Sequence, residues 1–156
     1  LQGALIAQNI INLSNESVLD LAEINKLDQN RNYTEALNLA SEVIKQSQEI
    51  RDQAVLLSME VEKMTRALSN IGSFEARQAA LEAIANRLAL ISRLIHYSGY
   101  RGQLLAVLRG RFDGSHVKYG EVGTLISQIN AEVRAINNFN GQAAQAMEKF
   151  DKIVNR

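Results

Sequence analysis

The chain has 156 residues, no cysteine, no proline, and 17 basic against 17 acidic side chains, for a formal net charge of zero. These numbers exclude disulfides, thiolate metal sites and proline kinks, and they argue against nonspecific nucleic-acid binding, which relies on a broad positive field. One domain spanning 1–156 with one core is the expectation at this length, and no apolar run nears the roughly 20 residues that cross a bilayer. The most apolar end, Leu1 to Leu13, is interrupted by Gln2, Gln8, Asn9 and Asn12. The first residue is Leu rather than Met, so the expectation is a chain either processed or trimmed from a longer one, a removed signal peptide or membrane anchor being one form of this, with a compartment outside the cytoplasm or at the cell surface slightly favoured.

The first predicted helix covers about 3–30, where Ile6, Ile10, Leu13, Ser17, Leu21, Ile24 and Leu27 form one stripe. Asn15 or Ser17 would cap a shorter helix and break this segment in two. The second, about 33–70, has the most regular pattern: Ala36, Ala40, Val43, Ser47, Ile50, Ala54, Leu57, Val61, Met64, Leu68 and Ile71 alternate four and three apart, the a/d seam of a bundle helix. Gly72 suits the next turn and Ser73 an N-cap. The third helix, about 74–112, offers Phe74, Leu81, Ile84, Leu88, Ile91, Ile95, Ser98, Gly102, Leu105 and Phe112 as its seam. The fourth, about 120–155, continues with Val122, Ile126, Ile129, Val133, Ile136, Asn140, Ala143, Met147, Phe150 and Val154. Short breaks at 30–32, 70–73 and 113–120 force antiparallel neighbours. The expected fold is therefore all-α, an elongated antiparallel up-down four-helix bundle with coiled-coil-like seams, about 50 Å long at 1.5 Å per residue.

Asn32-Tyr33-Thr34-Glu35-Ala36-Leu37 resembles the entry to the second helix of a tetratricopeptide repeat, but the seam runs on to Ile71 without the turn that a 34-residue period demands. In length and heptad pattern the chain is similar to the extracytoplasmic ligand-binding bundles of bacterial chemoreceptors, a likeness of architecture alone.

Catalytic and metal motifs are missing from the sequence. There is no Glu-x-x-His pair for a di-iron bundle and no His-Glu-x-x-His for zinc, and the glycines between Gly99 and Gly123 match neither a P-loop nor a dinucleotide fingerprint. His96 and His116 are isolated from each other. No enzyme, metal or cofactor is expected.

Three features are candidates for function. Ser17, Ser47, Ser98 and Asn140 fall at matching heights of the predicted seams, as a polar core layer that encloses water or a small polar ligand. The commoner outcome for such serines is a bond back to their own helix carbonyls. Leu90, Tyr97, Tyr100, Leu104 and Val107, widened by Leu94 and Leu108, fall on the predicted outer side of the third helix, and Arg93, His96, Tyr97, Tyr100, Arg101 and Leu104 form a ligand- or partner-binding patch there. A helix apolar on most sides is buried on most sides, so a homodimer through this helix is expected, or another protein in its place. Ser98, Gly102, Ala106, Gly110 and Gly114, four apart, predict close internal packing. Finally, acids dominate between Glu16 and Glu62, while Ala83 to Gly120 holds Arg87, Arg93, Arg101, Arg109, Arg111 and Lys118 against Asp113 alone, so the third helix is expected to pair with acidic neighbours. The leading expectation is a non-enzymatic binding or interaction module. The alternatives are a purely structural spacer or assembly protein, or a ligand-sensing domain.

Overall fold

A computed structural model describes residues 2–114 and 120–155, with the side chains of all of these but Gln2, Ser17, Gln46 and Ser47. The described chain is all-α. It contains α1 (Gln2–Gln29), α2 (Tyr33–Ala67), a short 3-10 turn (Leu68–Asn70), α3 (Phe74–Phe112) and α4 (Glu121–Val154). At 1.5 Å per residue α3 alone is about 58 Å long.

α1 passes through Asn15 and Ser17 unbroken. Ser14 is buried, and its hydroxyl donates back to the Ile10 carbonyl of the same helix at 2.8 Å. The α1–α2 turn is made by the backbone. Asn32 N–H donates to the Leu27 carbonyl at 2.8 Å and Arg31 N–H to that of Asp28 at 3.0 Å, a Schellman closure with Arg31 at φ 60°. After α2 the 3-10 turn tightens the chain, Ile71 extends, and Ser73 caps α3 by accepting from the Ala76 N–H at 3.3 Å. Gly114 (φ 73°) and Gly120 (φ 78°) supply the left-handed backbone that closes α3 and opens α4. The expected 113–120 loop, with His116 and Lys118, falls largely on 115–119, outside the described residues.

All four helices feed one apolar core, with Ile10, Leu21, Ile24, Ile50, Leu57, Leu90, Tyr97, Leu108, Ile129 and Ile136 wholly buried. α3 packs most extensively on α4, and of the neighbouring helices α1 and α4 touch least. The α2 seam lies where the spacing puts it, with Ala36, Ala40, Val43, Ile50, Leu57 and Val61 buried.

α3 is turned the other way from the expectation. Its buried residues include Ala76, Ala80, Ala83, Arg87, Leu90, Leu94, Tyr97, Arg101, Leu104, Leu108 and Arg111, a second four-and-three seam as regular as the first. Leu81, Leu88, Ile95 and Phe112, expected inside, are exposed. The reason is volume. The expected seam has only Ser98 and Gly102 at mid-helix, where the other presents Tyr97 and Leu104, and filling the core with large side chains outweighs burying the arginines between them. Leu90, Tyr97, Leu104 and Val107 are therefore core residues and Tyr100 is half-buried. The small residues also face outward. Gly102 is exposed, and a Cβ added at Gly102 or Gly114 would meet nothing within 4 Å, so no helix packs closely on that line.

Arg31 holds a conformation that a side chain disfavours by about 1 kcal/mol. Arg31→Gly should stabilise the fold by about 0.5–1 kcal/mol in urea denaturation at unchanged m-value. A loss of stability would mean that the arginine side chain contributes more than its backbone strain removes.

Candidate functional site

The α3 seam brings three arginines into the interior, a residue type almost never fully buried unless paired. Arg111, at the far end, is paired: its Nε lies 3.1 Å from Oδ1 of Asp28 at the end of α1. Burial raises the Asp28 pKa, and the neighbouring guanidinium offsets this only in part.

Arg101 is 2 % exposed, with no carboxylate at ion-pair distance among the described residues. Its Nη1 donates to the Tyr97 hydroxyl at 2.9 Å, its Nη2 donates to the Val43 carbonyl of α2, and its Nε is buried without a partner. The guanidinium also sits 4.9 Å from the Tyr97 ring centre, one helical turn away. Burial lowers its pKa; Tyr97 counteracts this and Arg51 adds to it. Arg87 is 3 % exposed, and its pKa too is lowered by burial. Nη1 donates to the Gly3 carbonyl of α1 at 3.0 Å, while Nε has no hydrogen-bond partner.

The expected surface patch is thus divided. Tyr97, Arg101 and Leu104 line the core, whereas Arg93 and His96 stay outside and meet a carboxylate already in place. Glu132, buried on α4, approaches Arg93 Nη1 at 3.5 Å and His96 Nδ1 at 4.0 Å. Those two residues therefore have an acidic neighbour within the chain, with their side chains 44 and 55 % exposed. Of the expected polar layer, Ser98 and Asn140 are half-buried, while the Ser17 and Ser47 side chains lie outside the described residues. A separate polar contact joins α1 to α4, where Asn137 Nδ2 donates to Asn15 Oδ1 at 3.1 Å.

No group of three or more His, Asp or Glu able to hold a metal occurs among the described residues. Nor is any described helix long and apolar enough to cross a membrane. The interior arginines were hidden from the sequence reading by the choice of seam. The spacing 87, 90, 94, 97, 101, 104, 108, 111 is visible in the sequence, but it falls on the outer side once Phe74, Leu81, Leu88 and Ile95 are taken as the seam. No protein-family model, curated protein or solved structure matches the chain.

Two predictions follow from these charges. The folded Asp28 pKa lies above the ordinary 3.8, so between those values the native state binds more protons than the unfolded chain, and stability declines as pH rises through the window. Asp28→Asn should remove that slope and gain on the natural chain as pH climbs from about 4 towards 7. A gain that shrinks instead would show the Arg111 ion pair outweighing desolvation. Arg101→Met should match or exceed the natural stability, because it removes a buried charge that lacks a counter-ion while keeping the stem volume. A loss above about 2 kcal/mol on chemical denaturation would count against this.

Proposed function

We propose that the protein is a non-enzymatic interaction module: an antiparallel up-down four-helix bundle that pairs with a second copy of itself through α3. The bundle arrangement is supported by contacts at known heights. Gly3 meets Arg87 and Asp28 meets Arg111, as α1 and α3 running the same way require. Asn15 bonds Asn137, and the Asn25 side chain would lie 3.6 Å from a Cβ at Gly123, as opposed α1 and α4 require.

The observation that carries the interaction reading is the stripe that α3 leaves outside. Phe74, Leu81, Leu88 and Ile95, seven residues apart, are 73, 48, 52 and 67 % exposed. Single exposed apolar residues are ordinary, but a heptad row about 32 Å long is the seam a partner helix reads. Val55, Leu56 and Met59 on α2 are exposed as well, and the heights fixed by the Val43–Arg101 bond and by Glu60 and Arg87 both lying against Gly3 set them level with the Leu88 region. A second copy fits this row. Two antiparallel α3 helices related by a two-fold axis set Phe74 opposite Ile95 and Leu81 opposite Leu88, a self-complementary pairing of the isologous kind. This interface replaces the expected one at Tyr97 and Leu104, which are spent on the core.

Leu88→Glu with Ile95→Glu should turn a dimer into a folded monomer by light scattering with an unchanged helical circular-dichroism spectrum, since both residues are exposed. A natural chain already monomeric at high micromolar concentration would overturn the reading. In that case the same stripe would belong to a different partner or to none.

A further inference from the structure

Residues of all four helices surround a cleft of about 590 Å³. Gly3 of α1, Glu60 and Met64 of α2, Arg87 of α3, and Met147 and Asp151 of α4 line it. The volume is in the range of small-molecule sites, roughly 300–1,000 Å³. The cleft opens because α1 and α4 touch least among neighbouring helices, and because Gly3, Ala4 and Ala144 bring little side chain to it.

Two charges in its walls have no counterpart. Arg87 is 97 % buried, with one guanidinium nitrogen committed to the Gly3 carbonyl and Nε left without a partner. Asp151 is exposed and forms no ion pair among the described residues. The other acids there are already engaged, Glu60 by Lys63 and Glu148 by Lys152, each at 3.1 Å. Arg87 and Asp151 do not reach ion-pair distance of each other, so neither neutralises the other. Met64 and Met147 also line the cleft, flexible apolar side chains that adapt to irregular shapes.

We infer that this cleft binds a small zwitterion of the free amino-acid class with an apolar side chain. Its carboxylate meets the Arg87 guanidinium where that side chain lines the cleft, in a charge-assisted contact. Its ammonium group faces Asp151, and its side chain lies against the two methionines. A zwitterion bridges both orphan charges at once without adding net charge to the interior. An anion alone would leave Asp151 unanswered, and an amine alone would leave Arg87 as it is. The argument is independent of the dimer reading, since the α3 stripe is a different face of the helix.

The test is isothermal titration calorimetry on the full chain with L-leucine, L-valine and L-methionine in turn, and with 4-methylpentanoate and 3-methylbutylamine, which are leucine without its ammonium and without its carboxylate. At least one of the amino acids should bind saturably, and for leucine each truncated analogue should bind at least about tenfold more weakly. Asp151→Asn, an exposed change that leaves the core intact, should weaken leucine binding about tenfold and leave 4-methylpentanoate unaffected. Arg87→Met should abolish binding of both. No saturable binding by any of the three amino acids at millimolar concentration overturns the proposal, as does 4-methylpentanoate binding as tightly as leucine, or leucine binding unchanged in a folded Arg87→Met protein.

Discussion

A helix can turn only one stripe towards a core, and α3 carries two. One row joins alanines to leucines, Tyr97 and three arginines; the other joins Phe74, Leu81, Leu88 and Ile95 to Ser98 and Gly102. Choosing the first fills mid-height with Tyr97 and Leu104, and everything else distinctive about the molecule follows from that rotation. It sends arginines inward, leaves a heptad row of apolar side chains outside, and sets Arg87 on the wall of a cleft. Had α3 packed the other way, its arginines would stay outside the core, and Leu90, Leu94, Tyr97, Leu104 and Leu108 would form the exposed apolar row instead.

The interior arginines are tolerated for different reasons. Arg111 has Asp28 beside it, yet burial still moves the Asp28 carboxyl towards its neutral form, so the pair does not fully offset its own desolvation. Arg101 substitutes dipoles for a counter-ion: the Tyr97 hydroxyl and ring and a carbonyl of α2. Each of those contacts is fixed in direction, so they set the height of α2 against α3 as well as solvating the charge. Arg87 has the least, one carbonyl of the first turn of α1, and is the arginine with most to gain from an added anion.

How much of this was legible depends on where two periodicities compete. α2 and α4 have one apolar row each, and spacing alone picks out most of their core, though in α4 it leaves out buried Leu125, Glu132 and Ala146 and includes Val154, which is 56 % exposed. The Ser73 cap and the turns were legible for the same local reason, since capping is decided within a few residues. α3 was not legible, because its two rows are equally regular and only the volumes facing them across the core decide between them. Counting from the seam that begins at Phe74 puts Tyr97, Arg101 and Leu104 outside. The Arg93–Glu132 approach was also beyond reach: it joins two helices whose relative height no local pattern fixes.

The same rotation gives α3 two separate duties at adjacent positions. Arg87 and Leu88 are consecutive, and consecutive residues on an α-helix point about 100° apart. One faces the cleft and the first turn of α1; the other lies in the exposed row. A shift of α3 that repositions the Arg87 guanidinium must therefore also move Leu88, because a packed helix moves as a unit rather than residue by residue. Arg87 also holds the Gly3 carbonyl, so the same shift reaches the start of α1. If the cleft is filled as proposed and the stripe is paired as proposed, the two events meet within one turn of one helix. Under that arrangement, linkage between them follows from rigid geometry alone, and it is reciprocal: whichever event favours one placement of α3 changes the free energy of the other by an equal amount.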